Sequence, residues 1–224
     1  MHYEYFGIGS HNDPKSMQEA IDGLCVVPGT CIFLDICDST KIKNKENLQH
    51  WINRIRNTFN ERAVTDITLK PLKIIGDELM FYIPDSELDK SEENFASLIE
   101  VIIGLISPYQ NELVKSVLPL KGAIHHCSDV YAMTFYKDEN DLPVPDYYGS
   151  GIDLTARLMK KAVENRLVVS QDYFNLIQDN EDTVKKFRGP YIEDFKGFDD
   201  HPTEYWYWQY SNESHYCSVV LKTI

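Results

Sequence analysis

The chain has 224 residues and a mass of 26.0 kDa, the size of one compact domain, and 43% of its residues are hydrophobic, enough for a sizeable core. Acidic residues number 35 against 22 basic ones, a formal charge of −13, which excludes tracking along DNA or RNA and a polybasic membrane anchor. A small anionic ligand is not excluded, because a local lysine cluster or a bound cation outweighs the global charge.

Residues 1–29 hold Gly7, Gly9, Pro14, Gly23, Pro28 and Gly29 without a hydrophobic period, so an irregular lead-in is expected there, with one domain over residues 30–224. Thr30 to Ile36 (TCIFLDI) is a short apolar run rich in bulky and β-branched residues, which predicts a buried strand. Leu48, Trp51, Ile52, Ile55 and Phe59 recur at helical spacing and predict an amphipathic helix. Two apolar runs, Ile67 to Ile75 and Leu79 to Ile83, flank Gly76-Asp77 and predict a hairpin.

Ser91 to Ser116 predicts a second long helix, broken near Pro108, and Leu118 to His126 and Val130 to Phe135 predict two strands. Residues 136–146 (YKDENDLPVPD) are charged and Pro-containing, the composition of an exposed loop. A third helix is expected from Gly151 to Asn165, with Ile152, Ala156, Met159 and Val163 on its inner face. Leu167 to Ser170 predicts a strand, with Ser170 capping a short helix after it. In the tail, Tyr205, Tyr207 and Gln209 face one way and Trp206, Trp208 and Tyr210 the other, an alternation expected of sheet packing. Strands interleaved with helices predict an α/β sandwich with a mixed sheet.

The cysteines (Cys25, Cys31, Cys37, Cys127, Cys217) are odd in number and form no CxxC, so reduced thiols are expected rather than a disulfide framework or a zinc knuckle. No basic-then-apolar leader opens the chain, and the apolar segment Phe95 to Ile106 is interrupted by Glu100 and far short of the ~20 residues of a spanning helix. A cytoplasmic protein without membrane insertion is the expectation.

The candidate chemistry begins with two acids. Asp35 ends an apolar strand in FLDICDST, and Asp77 lies at a hairpin turn in KIIGDELMF. Strand-end carboxylates that converge on one sheet edge suit Mg²⁺ or Mn²⁺, which prefer hard oxygen ligands. Taken singly, Asp77 also reads as a turn residue and Asp35 as a cap. Ser39 and Thr40 precede a helix, where backbone N–H groups cradle phosphate oxygens or where the hydroxyls simply cap. His125 and His126 lack further ligands at metal spacing, so a satisfied strand-end role is expected for them.

The ordered set FLDICDST, KIIGDELMF, KGAIH, DYYGSGIDLTARL and FKGF resembles the class III nucleotidyl cyclases over roughly residues 30–210. The resemblance implies a ferredoxin-like α/β domain with a mixed, mainly antiparallel sheet flanked by helices. It also implies a homodimer with active sites shared between two chains, and two divalent ions, Mn²⁺ or Mg²⁺. Asp35, Asp77 and the Ile36 carbonyl match the metal ligands. Arg157 matches the arginine that meets the α-phosphate, and Lys196 the lysine on the terminal phosphates. Lys73 and Asp146 match the base-reading pair. Where the family carries Asn, this chain has Asp153, which when ionised only accepts hydrogen bonds, so its role must differ.

The donor–acceptor pair Lys73/Asp146 suits adenine, cytosine, or uracil with the roles exchanged, so hydrogen-bond polarity alone does not choose the base. Tyr147, Tyr148 and Trp51 are candidate walls of a small pocket. As a lone cyclase domain carrying GIDLTARL, the chain resembles most closely the pyrimidine cyclases of the Pycsar anti-phage systems. That resemblance implies conversion of UTP to cyclic UMP, which acts on a separate effector. The alternatives are a cytidylate or adenylate cyclase, or an inactive nucleotide-binding domain.

Overall fold

The computed structural model describes residues 25–62, 71–88, 92–108, 117–137, 143–198 and 202–210. Most of the expected lead-in, the start of the run Ile67 to Ile75, the last part of the helix expected to reach Ser116, and Cys217 lie outside the described residues.

The chain opens with β1 (Gly29–Ile36), then helices α1 (Ser39–Lys43) and α2 (Leu48–Arg62). The hairpin β2 (Lys73–Ile75) and β3 (Glu78–Pro84) leads to α3 (Glu92–Ile106) and β4 (Leu120–Cys127). A second hairpin, β5 (Tyr131–Lys137) and β6 (Pro143–Tyr148), precedes α4 (Ser150–Leu158) and a 3₁₀ turn, Met159–Lys161. The rest is β7 (Arg166–Ser170), α5 (Gln171–Leu176), α6 (Glu181–Val184), β8 (Arg188–Glu193) and β9 (Thr203–Gln209).

The main sheet has strand order β2-β3-β1-β4-β7-β9-β8, and β5 with β6 forms a separate two-stranded sheet. Only the β4–β7 pairing is parallel among the pairings described. The mixed, mainly antiparallel sheet with helices on its faces is the fold that the sequence predicted.

Each face has its own core, because side chains alternate along a strand. On the first face, Ile32, Leu34, Phe81, Leu120, Ile124 and Val169 pack under Phe95, Ile99, Ile102 and Ile106 of α3 and Tyr173 of α5. On the second face, Cys31, Phe33, Met80, Ala123, Cys127 and Val168 pack under Leu158, Met159 and Ala162. Trp206 and Trp208 of β9 cover the first core while Tyr205 and Tyr207 cover the second, the alternation expected for the tail.

Several expectations need correction. Leu48 and Ile52 of α2 are 59% and 51% exposed, so only part of the predicted apolar face is buried. The helix turns Thr58 inward instead, where its hydroxyl donates to the Arg54 carbonyl (2.8 Å) and accepts from Leu118 N–H (2.9 Å), so burying it leaves nothing unsatisfied. The long helix α3, by contrast, ends at Ile106, two residues before Pro108, in keeping with the break expected there, since proline disfavours helical backbone in the residue ahead of it.

The stretch expected as a loop from 136 to 146 carries hairpin strand at both ends, with Asp146 opposite Met133. The third helix ends at Leu158 rather than Asn165, and its buried residues are Gly151, Thr155 and Leu158. Val163 is 49% exposed. Two contacts set this rotation. Gly151 lies hard against Cys127 of β4, and the Thr155 hydroxyl donates to the Gly151 carbonyl at 2.7 Å, which lets a polar residue be buried. The edge strand β8 was not foreseen, since its residues are almost all exposed and Pro190 interrupts the run.

Candidate active site

Antiparallel register sets a row of charge across the second face of the sheet. Asp35, two residues beyond Phe33 on β1, stands opposite Glu78 of β3 on one side and Lys121 of β4 on the other. Lys121 Nζ lies 3.0 Å from Asp35 Oδ2, an ion pair with side chains 25% and 21% exposed. Asp77 occupies the β2–β3 turn beside Gly76, whose φ of 68° is a left-handed conformation that suits glycine. Its carboxyl lies close enough to Asp35 to act on it by charge and hydrogen bonding.

Burial raises the Asp35 carboxyl above the usual range; Lys121 offsets part of this and Asp77 adds to it. Glu78 is pushed up to about 7, by burial first and then by the negative charge of Asp35. The end of β1 therefore gathers Asp35, Asp77 and Glu78 beside Lys121, the basic partner found there among the described residues. Two adjacent carboxylates and the Ile36 backbone carbonyl at the strand end suit a hard cation that keeps several waters and takes its other ligands from a phosphate. Among the described residues no group of three or more His, Cys, Asp or Glu side chains forms a metal cage.

The Glu78 shift has a testable sign. A carboxyl whose folded value lies above its unfolded one favours the folded state most below the unfolded value, and that contribution is lost as pH rises through about 7. Without divalent cations, the melting temperature of the wild type should therefore fall between pH 4.5 and 7 more steeply than that of Glu78→Gln. Equal slopes would show that Glu78 is not the strained acid.

Following Asp35, the chain turns through Asp38 in a left-handed conformation (φ 55°) into the single turn α1. Asp38 is the N-cap residue but makes no side-chain capping bond, so the capping role considered for this segment is not filled by a side chain. Ser39 is buried and Thr40 exposed.

A second cluster joins the edge strand β2 to the β5–β6 hairpin. Lys73 Nζ lies 2.6 Å from Asp146 Oδ1, which also accepts Tyr147 N–H at 2.8 Å, and Tyr148 O–H donates to Asp146 Oδ2 at 2.7 Å. The Lys73 ammonium also stands 5.3 Å over the Tyr148 ring. Burial pushes the Asp146 carboxyl up, but Lys73, the Tyr148 hydroxyl and the Tyr147 N–H outweigh it and hold it below the usual range. The three residues assigned to the base in the sequence thus meet at one place. Tyr147 packs instead on Tyr82, ring centroids 4.3 Å apart. Trp51 sits under the Lys43 ammonium (5.0 Å) on α2, a helix that packs through Ile55 and Phe59 on the other face of the sheet, so it is not a wall beside this cluster.

The remaining candidates are on separate elements. Asp153 and Arg157 lie on α4, exposed and half-buried, and Lys196 is exposed in the turn after β8. Among the described residues no ion pair or hydrogen bond joins any of them to Asp35 or Asp77. His125 and His126 have local partners, Ser170 Oγ at 2.8 Å and the Asp85 carboxylate at 3.1 Å, as expected for strand-end histidines. The sequence reasoning did not single out Lys121 or Glu78, though both stood inside quoted motifs (KGAIH and GDELMF). Their signal was positional: only the strand register brings them beside Asp35.

No protein-family model and no curated protein matches the sequence. Solved structures do match the fold. The guanylyl cyclase Cya2 aligns with a TM-score of 0.67 at 13% identity, covering 85% of this chain and 98% of that one. The adenylyl cyclase CyaB from P. aeruginosa gives 0.64 at 15% identity, covering 84% and 96%. The guanylate cyclase domain of RhGC from Catenaria anguillulae, solved in complex with GTP, gives 0.63 at 13% identity, covering 82% and 97%. The fold is that of class III nucleotidyl cyclase domains. Among the described residues no helix is long and apolar enough to cross a membrane.

Proposed function

We propose that the chain is a nucleotidyl cyclase that converts a nucleoside triphosphate to its 3′,5′-cyclic monophosphate and pyrophosphate. The observation that carries this reading is the pair Asp35 and Asp77, side by side at a strand end and a hairpin turn in a cyclase fold. Divalent cations held there would lower the pKa of the attacking 3′-hydroxyl and screen the triphosphate. Asp35, Asp77 and the Ile36 carbonyl would hold them, and the first backbone N–H groups of α1, at Ser39 and Thr40, would face the phosphates.

Arg157 and Lys196 would stabilise charge on the α- and terminal phosphates, and because neither touches the carboxylates within one chain, each would come from the second copy of a homodimer. Asp153, one helical turn before Arg157, would accept from a ribose hydroxyl where the family places an Asn.

Lys73, Asp146 and Tyr148 would read the base. The named cyclases that share the fold act on ATP or GTP, and the Lys73/Asp146 polarity suits adenine, so ATP is the first substrate to test. UTP is the second reading. It would be favoured by the Tyr148 ring, which stands beside the pair, acting as the wall of a smaller base site. A place in anti-phage signalling, with a separate effector for the product, rests on the resemblance of the sequence alone.

Incubation with ATP, GTP, CTP and UTP separately, with Mn²⁺ or Mg²⁺ and product identification by mass spectrometry, tests the proposal. One cyclic nucleotide should dominate, and Asp146→Ala should cut the preference for that base by about tenfold or more. Release of no pyrophosphate from any triphosphate would overturn the enzymatic reading.

A further inference from the structure

The end of the sheet away from Asp35 holds a groove that the proposed reaction does not use. Asp35 pairs with Lys121 near the start of β4, whereas His125 lies further along that strand, about 13 Å on. The groove has a volume of about 510 Å³, within the range of small-molecule sites. It continues into a second of about 580 Å³ that shares Ser150, Leu154, Asp172 and Phe198 with it.

Its charge is one-sided. Asp129, Asp172 and Glu204 line it, and among the described lining residues there is no lysine or arginine. Burial pushes the Asp129 carboxyl up, but the Ser150 hydroxyl and the Gly151 N–H outweigh it and hold it below the usual range, so it is ionised. His125, only 5% exposed, adds a donor. Burial lowers it to about 4, so the ring is neutral at pH 7. Its Nδ1 lies 2.8 Å from Ser170 Oγ, which already accepts Tyr173 N–H at 3.1 Å. The Ser170 proton therefore goes to Nδ1, and Nε2 carries the ring proton. The ring lines the groove, and its Nε2–H has no partner among the described residues. A buried donor left open is costly unless a bound group accepts it.

We propose that this groove binds an organic ammonium ion that carries an apolar body and a hydroxyl or carbonyl oxygen, and that its occupancy tightens nucleotide binding. The ammonium would lie between Asp129 and Asp172, the oxygen would accept from His125 Nε2, and the body would rest on Leu154 and Phe198. The same carboxylates repel a nucleotide or a free phosphate, so the groove is not a second substrate site. Coupling follows from the walls. Ser150 and Leu154 belong to α4, which also carries Arg157, and Phe198 stands two residues from Lys196. A ligand that ties them to His125 and Asp172 fixes both groups assigned to the second copy's phosphates. The coupling rests on those proposed roles of Arg157 and Lys196; the binding does not.

Isothermal titration calorimetry at about 0.15 M salt, which screens general attraction to an acidic surface, tests both without turnover. The probes are 2-amino-1-phenylethanol as the cation, 2-phenylethanol as the neutral analogue and mandelate as the anion. Wild type should bind the amine and neither of the others. Asp172→Asn should weaken the amine about tenfold and Asp172→Lys should abolish its binding. The Asp172 side chain is 66% exposed, so the fold does not depend on it. Glu181→Gln, which removes an exposed acid of α6, should leave binding unchanged. The Mg²⁺ complexes of 3′-deoxy-ATP or 3′-deoxy-UTP, which lack the hydroxyl needed to cyclise, should tighten the amine about fivefold, and the amine should tighten the nucleotide by the same factor. Failure of wild type to bind the amine, or equal losses in Asp172→Asn and Glu181→Gln, overturns the site. A nucleotide that binds without changing the amine's affinity overturns the coupling. If the amine binds and neither nucleotide does, the groove stands and the cyclase reading fails.

Discussion

Mixing two inactive variants, Asp77→Ala and Arg157→Ala, restores about a quarter of wild-type pyrophosphate release. The figure follows from symmetry: random exchange makes half the dimers mixed, and each mixed dimer has one of two sites with both residues intact. The expectation rests on the separation seen in one chain. Asp77 is at the β2–β3 turn and Arg157 is in the last turn of α4, and no contact between them is found among the described residues. Each single variant should fall by two to three orders of magnitude, the loss on the order expected when one charge-stabilising group is removed from a dry site. A mixture that remains as inactive as its parents, with subunit exchange verified by mass, would sink the shared-site arrangement.

Gly151→Ala should both unfold the protein earlier and silence it. An added Cβ would lie 2.7 Å from Cys127 Sγ and 2.8 Å from Cys127 Cβ, atoms of a buried strand that cannot swing away. Either α4 lifts off β4 or the strand shifts, at a cost of about 2 kcal/mol, the usual scale of overpacking. For a chain of this size that is roughly 4–8 °C of melting temperature. Activity should fall further than stability explains, since α4 carries Asp153 and Arg157. Gly104→Ala is the control. It lies within α3 with nothing within 4 Å of the added atom, and should stabilise by roughly 0.5–1 kcal/mol. Equal melting temperatures for Gly151→Ala and wild type would show that the close approach to Cys127 carries no strain.

The strands most legible in the sequence were those marked by a continuous apolar run or a clear alternation. TCIFLDI became β1 and the alternating tail became β9, because each is covered on both sides by apolar layers. The errors came where tertiary contact overrode pattern. The inner face of α4 was read only in part: Ile152 and Met159 do pack on the second core, but Gly151 and Thr155 were passed over because they do not look apolar, yet one fits by lacking a side chain and the other by bonding its own helix. The strand β8 was missed because an exposed edge carries no alternation. In the candidate site, the places of Asp35 at a strand end and Asp77 at a hairpin turn were readable from local pattern, while the cation role proposed for them came from the family resemblance. Lys121 and Glu78 were not, since what brings them beside Asp35 is pairing between strands far apart in sequence.

The Lys73–Asp146 bridge has a bearing on how selection would operate. These two groups and the Tyr148 hydroxyl satisfy one another within the chain. If the pair reads the base as proposed, an arriving base would have to compete with these contacts, so a correct base would gain little affinity at this point. A base whose edge cannot replace both contacts leaves a charge stranded, which costs far more than a matched edge returns. Discrimination here would therefore work by rejection, and the right nucleotide would owe its hold on the protein to its phosphates.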